Sequence, residues 1–344
     1  MHIPRHPFAP SVPVLLSGVL LLSSAGCADD APDAAAPAAS TAPVAEPDGS
    51  PSAAGGTGAG EAPSGFAPPE EPYAAVDAEL SERLHLPVYD YRLDEYEAYV
   101  VARAADTLTV ECLVDLGYEA SVNAELEMGT LTMRAFGPHH EYRRYGNMRL
   151  DVAEEYGYGL PDEVAPDPYR LGGGEDLRAE ARGAVTAGGE DFASPSGEPV
   201  PEGGCLGWAR RQIDPDSALP YEVGEDGGAL DVPESHVLVE ELLGESYSAA
   251  MGDPAVVGAA AAWDTCMSGV VEGFHGTPGS GEGADADTAL PALECRDSSG
   301  YTDAFVAAER ALLEDLITEH EEALTARRDR LRENLETALD VLGW

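Results

Sequence analysis

Five cysteines are the residues of this chain with the clearest chemical potential. They stand at Cys27, Cys112, Cys205, Cys266 and Cys295. A cysteine can form a disulfide, ligate a metal or accept a modifying group. Zinc sites built from four cysteines carry closely spaced pairs of the CxxC kind, and no such pair occurs here. We therefore expect disulfides, and an odd number of cysteines leaves one that needs a separate role.

The segment before Cys27 predicts export. An apolar run from Val12 to Leu22 follows the positive charge of Arg5. The run has the length of a secretory signal core and is shorter than the roughly 20 apolar residues of a membrane span. An exported chain meets an oxidising environment, in which the remaining cysteines are expected to pair.

The end of this segment, Ser24-Ala25-Gly26-Cys27, resembles the bacterial lipobox, with serine where leucine is usual. The resemblance implies that residues 1–26 are removed as a signal peptide. It also implies that Cys27 is lipidated and anchors the protein to the outer face of the cell membrane, where two acyl chains give a stable attachment. The alternative is an ordinary signal peptide cut near Ala25, with Cys27 left as a thiol.

Four cysteines allow three pairings, and their spacing alone does not select one. Two parts of the chain share an order: a cysteine near a helix end, a glycine–aromatic pair, a loop, and a second cysteine beside a helix. The two copies are Cys112…Gly117-Tyr118…Cys205 and Cys266…Gly273-Phe274…Cys295. This shared order favours the disulfides Cys112–Cys205 and Cys266–Cys295.

Other clusters of reactive residue types are weak candidates for metal-binding or catalytic sites. His139-His140-Glu141 suggests metal ligation, but adjacent side chains do not converge on one ion as residues four apart on a helix do. Acidic pairs resemble the two carboxylates of glycosidases, although 64 acidic residues produce such pairs by chance. The pairs are Glu154-Glu155, Glu240-Glu241 and Glu321-Glu322.

Two further motifs do not match their functional templates. The acidic stretches Asp214-Pro215-Asp216 and Glu225-Asp226 do not follow a calcium-loop pattern, and Gly172-Gly173-Gly174 lacks the lysine of a phosphate-binding loop. No G-x-S-x-G element is present. We therefore predict no catalytic residue, no metal site and no cofactor, so the protein is expected not to be an enzyme.

Composition excludes nucleic acid as a partner. The chain has 344 residues and a net charge of -45, and all 19 of its basic residues are arginine. Such a chain repels phosphate backbones, which are bound by clustered Lys and Arg. The Ala, Gly, Pro, Arg and acid bias is similar to that of high-GC actinobacteria, and the acidic surface is similar to that of halophile proteins.

The elements that position these residues are predicted to be mainly α-helical. Residues 27–72 are rich in Ala, Pro, Gly and Ser, which predicts a disordered tether. An acidic helical domain is expected over 73–300, with long mobile loops at 171–204 and 276–286 and an undecided stretch at 118–142. Helices are predicted from Leu93 to about Gly117, over 143–156, from Cys205, over 234–250, over 254–270 and as a turn at 290–295.

The C-terminal part, 301–344, is predicted to form one long amphipathic helix over 303–342. About 40 residues would make it about 60 Å long, more than a domain of this size covers. Packing inside the molecule and pairing with a partner or a second copy both remain open. Its arginines, Arg327, Arg328, Arg330 and Arg332, are expected to lie on a solvated face with nearby glutamates.

The pattern Trp263-x-x-Cys266-Met267…Gly273-Phe274…Cys295-Arg296, followed by a long charged helix, resembles a group of uncharacterised actinobacterial lipoproteins. Gly204-Cys205-Leu206-Gly207-x-Ala209 adds to the likeness, which covers roughly 95–342. The resemblance implies an accessory role in the cell envelope, with transporter components as possible neighbours.

The sequence therefore favours a membrane-anchored extracytoplasmic lipoprotein that acts through interaction. Its expected partners are the bilayer, through acylated Cys27, and a protein or second copy, through the 303–342 helix. The alternatives are a wall-polymer hydrolase and a solute-binding lipoprotein.

Overall fold

A computed structural model describes residues 67–124, 128, 130–159, 167–187, 189–216, 234–272, 274, 276 and 286–344. The described residues form eleven α-helices, two 3₁₀ helices and two antiparallel sheets of two strands each. The predicted mainly α fold with two disulfides is confirmed. Within these residues, no helix combines the length and apolarity needed to cross a membrane. The signal segment, Cys27 and the tether up to residue 66 lie outside the described residues.

The helices are α1 (Ala78–Leu84), α2 (Glu95–Asp115), α3 (Thr130–Phe136), α4 (Leu150–Tyr156), α5 (Glu175–Thr186), α6 (Gly204–Ile213), α7 (Glu234–Ala250), α8 (Pro254–Val270), α9 (Ala286–Ser299), α10 (Tyr301–Glu319) and α11 (Glu321–Leu342). The 3₁₀ helices are Pro87–Tyr91 and Glu141–Arg143. Strands β1 (Ala120–Val122) and β2 (Tyr169–Leu171) pair with Ala120 opposite Leu171, and β3 (Gly189–Ala193) pairs with β4 (Pro199–Val200).

Helix α2 begins where the sequence predicts it, at a reciprocal cap. The Glu97 amide donates to Asp94 Oδ1 at 2.8 Å, and the Asp94 amide donates to Glu97 Oε2 at 3.0 Å. These two bonds satisfy amides that a helix start otherwise leaves unpaired. The helix ends at Asp115 with Leu116 as its C-cap, and Gly117 follows with a φ of 88°, which favours glycine.

The start of α6 places Cys205 against α2. Gly203 and Gly204 have φ angles of 74° and 70°, and a Cβ on Gly204 would lie 2.4 Å from the Val185 carbonyl oxygen. Only glycine permits this close approach of α6 to the end of α5. Cys205 then forms a disulfide with Cys112 of α2, and Cys266 of α8 forms one with Cys295 of α9. These are the two pairs expected from the sequence.

Helices α7 and α8 have the bounds predicted from their periodicity, 234–250 and 254–270. The Asp253 side chain accepts from the Ala255 amide at 2.7 Å and so caps α8. Helices α7, α8 and α10 enclose the largest apolar core, in which Phe305 and Leu313 of α10 are fully buried. A second core lies between α2, α6 and α11 and includes Val100 and Leu342.

Three predicted elements before the C-terminal region differ from the structure. The helix expected over 143–156 is α-helical only from Leu150, because the preceding residues are held by a 3₁₀ turn and side-chain bonds. The predicted loop over 171–204 contains α5 and the β3–β4 hairpin, since Ala181, Ala184 and Val185 bury one face of α5. The turn expected at 290–295 is part of the longer α9. The predicted loop at 276–286 lies mostly outside the described residues.

The predicted C-terminal helical region is present as two consecutive helices. Helix α10 ends and α11 begins at His320, whose φ and ψ are -108° and 17°. Leu324 belongs to the first core and Leu342 to the second. The break allows the region to pack on both cores, so one face is buried inside the molecule.

A buried ion pair joins three segments of the first core. Glu309 is 0% exposed, and Arg144 donates to both of its carboxylate oxygens, at 2.5 and 3.0 Å. The Tyr145 hydroxyl donates to Glu309 at 2.5 Å and the Ser246 hydroxyl donates at 3.0 Å. A third bond from Arg144 reaches the Leu243 carbonyl. Such a pair is stable because every oxygen has a partner.

We predict that Glu309→Ala lowers the free energy of unfolding by about 3–5 kcal/mol, because it leaves the Arg144 charge buried and uncompensated. Denaturant titration measures the change. Glu314→Ala, an exposed glutamate on the same helix, is the control and should change stability by less than about 0.5 kcal/mol. Equal midpoints for the two variants would contradict the role assigned to the ion pair.

Candidate binding cleft

A cleft of 500 Å³ lies between α2, α6 and α11. Its apolar lining combines small and branched side chains, namely Ala98, Val101, Ala102 and Ala105 of α2, Leu206 and Ile213 of α6, Leu331 of α11, and Leu93. Its polar lining consists of Asp106, Arg210, Asp214, Arg327, Arg330 and Asn334. The volume falls within the roughly 300–1,000 Å³ of small-molecule sites.

Two elements bring arginines to this cleft. Arg327 and Arg330 lie three residues apart on α11 and share a face, and Arg210 lies opposite on α6. Arg327 Nε donates to the Tyr91 carbonyl at 3.2 Å, and Arg330 Nη1 lies 3.4 Å from Asp216 Oδ2. Burial lowers the pKa of Arg327. The sequence placed these arginines on a solvated face, whereas the structure places both of them half-buried in the cleft lining.

Asp106 of α2 is the most buried acid of the cleft, at 7% exposed. Arg103 Nη2 lies 2.7 Å from Asp106 Oδ2, and the Arg103 guanidinium lies over the Tyr99 ring. Burial raises the pKa of Asp106 to about 6, against the opposing charges of Arg103 and Arg210. The carboxyl therefore changes charge near neutral pH.

Asp214 and Asn334 complete the polar lining. The Asp214 carboxylate accepts from the Asp216 amide at 3.2 Å, in a turn that ends α6. Asn334 is 7% exposed, and no described residue forms a hydrogen bond with its side chain. Its amide atoms retain access to the cleft. The Asn334 amide is therefore open to water or to a polar group of a ligand in the cleft.

The side chains of His139, His140 and Glu141 have different partners. His140 Nε2 lies 2.9 Å from Glu95 Oε2, whereas His139 stacks on Tyr89 with ring centroids 4.9 Å apart. Burial lowers the pKa of His139 to about 4, so its ring is neutral at pH 7. Glu141 accepts from Ser81 at 2.8 Å and from the His139 amide at 2.7 Å. His139 and Glu141 line a second cavity of 460 Å³.

Among the described residues, no group of three His, Cys, Asp or Glu side chains is arranged to hold a metal ion. The acidic pairs serve local contacts: Glu155 accepts from Arg134 at 2.7 Å, and Glu240 lies 3.2 Å from Arg92. Glu321-Glu322 forms the exposed first turn of α11. The Gly172–Gly174 segment precedes α5, and Glu225-Asp226 lies outside the described residues.

The cleft was not predicted because its lining comes from three distant parts of the chain. Two signals in the sequence point toward it in retrospect. Alanines recur on one face of α2, and the densest arginine cluster shares a helix with Asn334. Neither signal indicates that α2 and α11 face each other.

The raised pKa of Asp106 predicts a pH-dependent stability. The folded protein binds the Asp106 proton more tightly than the unfolded chain, whose pKa is near 3.8. The stabilising contribution of the protonated carboxyl is therefore complete below about pH 4 and is lost as pH rises through about 6. Relative to wild type, Asp106→Asn should gain up to about 3 kcal/mol of unfolding free energy between pH 4 and pH 7.

Denaturant titrations at both pH values measure this difference. Asp115→Asn, which changes an exposed carboxylate at the end of the same helix, is the control and should follow wild type. A constant difference between wild type and Asp106→Asn across this range would contradict the assignment.

Comparisons with known proteins do not place the chain in a family. No protein-family model, no curated protein and no solved structure matches it. Its function must therefore be inferred from its own residues.

Proposed function

We propose that this chain is a lipid-anchored extracytoplasmic protein that serves the cell envelope by binding other molecules. In this proposal, acylated Cys27 holds it at the outer face of the cytoplasmic membrane, and residues 28–72 form a tether. A flexible tether of this length has a root-mean-square reach of about 35–40 Å. The helical domain then acts as an accessory or interaction module rather than as an enzyme.

The observation that carries the proposal is the use of the cysteines. All four cysteines in the described residues form disulfides, Cys112 with Cys205 and Cys266 with Cys295. Structural disulfides persist in oxidising compartments and are rare in the cytosol, which supports export. The pairing leaves Cys27 as the one cysteine without a disulfide role, and the lipobox resemblance supplies a role for it.

The C-terminal helices offer the partner surface. The inward face of α11 packs on both cores, and its outward face carries charged residues. Exposed positions on α11 include Glu321, Glu322, Asp329, Arg332, Glu333, Glu336 and Asp340. A mixed-charge helix face suits a polar protein partner or a second copy, and envelope transporter components are the partners that the lipoprotein resemblance implies.

The two alternatives fit the geometry less well. Two-lobed solute-binding proteins are built on sheets with alternating strands and helices, whereas the sheets described here have two antiparallel strands each. A wall-polymer hydrolase requires two facing carboxylates available to the substrate. The two acids of the cleft, Asp106 and Asp214, are engaged by Arg103 and by the Asp216 amide.

The anchoring part of the proposal predicts acylation at one residue. Cells fed an alkyne-labelled palmitate should incorporate label into the wild-type protein and not into Cys27→Ser. Ser24→Leu, which introduces the usual lipobox residue, should be labelled at least as strongly as wild type. Equal labelling of wild type and Cys27→Ser would refute the anchor.

If α11 is the partner surface, a crosslinker on its exposed face should capture a partner. A photo-crosslinking residue at Glu336 on α11 should capture a specific envelope protein or a second copy in intact cells. The same residue at Glu180, which is exposed on α5, should not. Removal of 303–344 is unsuitable because it deletes the buried Phe305, Leu313 and Leu342. Equal capture from both positions, or from neither, would count against α11 as the partner surface.

A further inference from the structure

The cleft between α2, α6 and α11 has an apolar wall of short side chains. Ala98, Ala102 and Ala105 recur at three- and four-residue intervals on α2 and keep that wall shallow and smooth. Leu206 and Ile213 of α6, Leu331 of α11 and Leu93 supply the rest of the apolar lining. The α2 residues that line the cleft, from Ala98 to Asp106, cover about 12 Å along the helix axis. Such a wall suits a narrow apolar group rather than a bulky ring system.

The cleft is much richer in arginine than the chain as a whole. Acidic residues outnumber arginines 64 to 19 overall, yet three arginines, Arg210, Arg327 and Arg330, line this cleft with two acids. The acids are Asp106, beside Arg103, and Asp214, beside the Asp216 amide. The Asp216 carboxylate lies 3.4 Å from Arg330 Nη1 at the edge of the cleft. A guanidinium carries five N–H donors, so one group can hold a protein partner and an anion together. Arginine favours carboxylates because its planar fork matches their two oxygens.

Asn334 provides an independent indication of a ligand. It lies on the same face of α11 as Arg327 and Arg330, one turn beyond Arg330, and is 7% exposed. No described residue hydrogen-bonds its side chain. Its amide atoms open into the cleft, so they offer one acceptor and two donors to a polar group of a bound molecule.

We propose that the cleft binds a small amphipathic carboxylate that consists of one aliphatic chain with an anionic head, of the medium-chain fatty-acid class. The chain lies along the alanine wall of α2. The carboxylate accepts hydrogen bonds from the arginines of α6 and α11 and from the Asn334 amide. The proposal adds a small-molecule site to the interaction role above, and it does not depend on a protein partner.

Isothermal titration calorimetry with the full chain carrying Cys27→Ser tests the proposal, because no attached acyl group then competes. Decanoate should bind at one saturable site. Decyltrimethylammonium, which has the same chain and the opposite charge, should not bind, and inorganic sulfate should bind far more weakly. Arg210→Gln and Arg330→Gln should each weaken decanoate binding about tenfold or more, the effect of losing a hydrogen bond to a charged group.

Ala102→Phe fills the apolar wall at an exposed position and should abolish binding without unfolding the protein, as thermal melts would verify. Arg178→Gln on α5 lies outside the cleft and should leave decanoate affinity unchanged. Equal binding of the cation and decanoate, or decanoate affinity unaffected by both Ala102→Phe and Arg330→Gln, would overturn the proposal. Loss of palmitate labelling or of the α11 crosslink would instead refute the anchor or the partner surface and leave this result intact.

Discussion

The buried pair of Arg144 and Glu309 fixes the arrangement on which the first core depends. It joins the segment after the second 3₁₀ helix to α10, and Ser246 adds α7 to the same carboxylate. Removing two charges from water is costly, and the mutual attraction offsets that cost only when the remaining oxygens and protons are hydrogen-bonded. Here four donors from three side chains surround one carboxylate, so α7 and α10 have a specific register rather than a general apolar contact.

The chain has arginine and no lysine, and several of its 19 arginines connect separate segments. Arg310 donates to the carbonyls of His85, Glu82 and Arg83 and so closes the C-terminal end of α1. Arg296 is fully buried and donates to the Asn147 carbonyl at 2.8 Å. Arg310 shows how one guanidinium can serve several acceptors at once, whereas burial lowers the pKa of Arg296. The acids, by contrast, mostly face solvent, where they maintain solubility.

Sequence periodicity predicts the elements that have one long apolar face or a clear cap. Helices α7 and α8 and the start of α2 at Asp94 follow from such signals. Periodicity does not predict α5, because glycine- and acid-rich flanks obscure its short apolar stripe. It also does not predict the break at His320, because packing on two cores interrupts a continuous helical pattern. The order of cysteines, glycine–aromatic pairs and loops anticipates both disulfides. The cleft depends on contacts between distant helices, which no local pattern encodes.

The arginines of the cleft attract an anion, whereas the net negative charge of the whole chain repels it. A net charge of -45 repels any anion at long range, but at physiological ionic strength that field decays over about 8 Å. Contacts within hydrogen-bond distance in a partly desolvated cleft are screened much less. Near the surface the arginines of α6 and α11 therefore outweigh the distant acids, and the Cys112–Cys205 disulfide holds α2 and α6 together before a ligand arrives. Because that part of the site is preorganised, binding does not have to order it, and an anion with an apolar chain gains from both walls of the cleft at once.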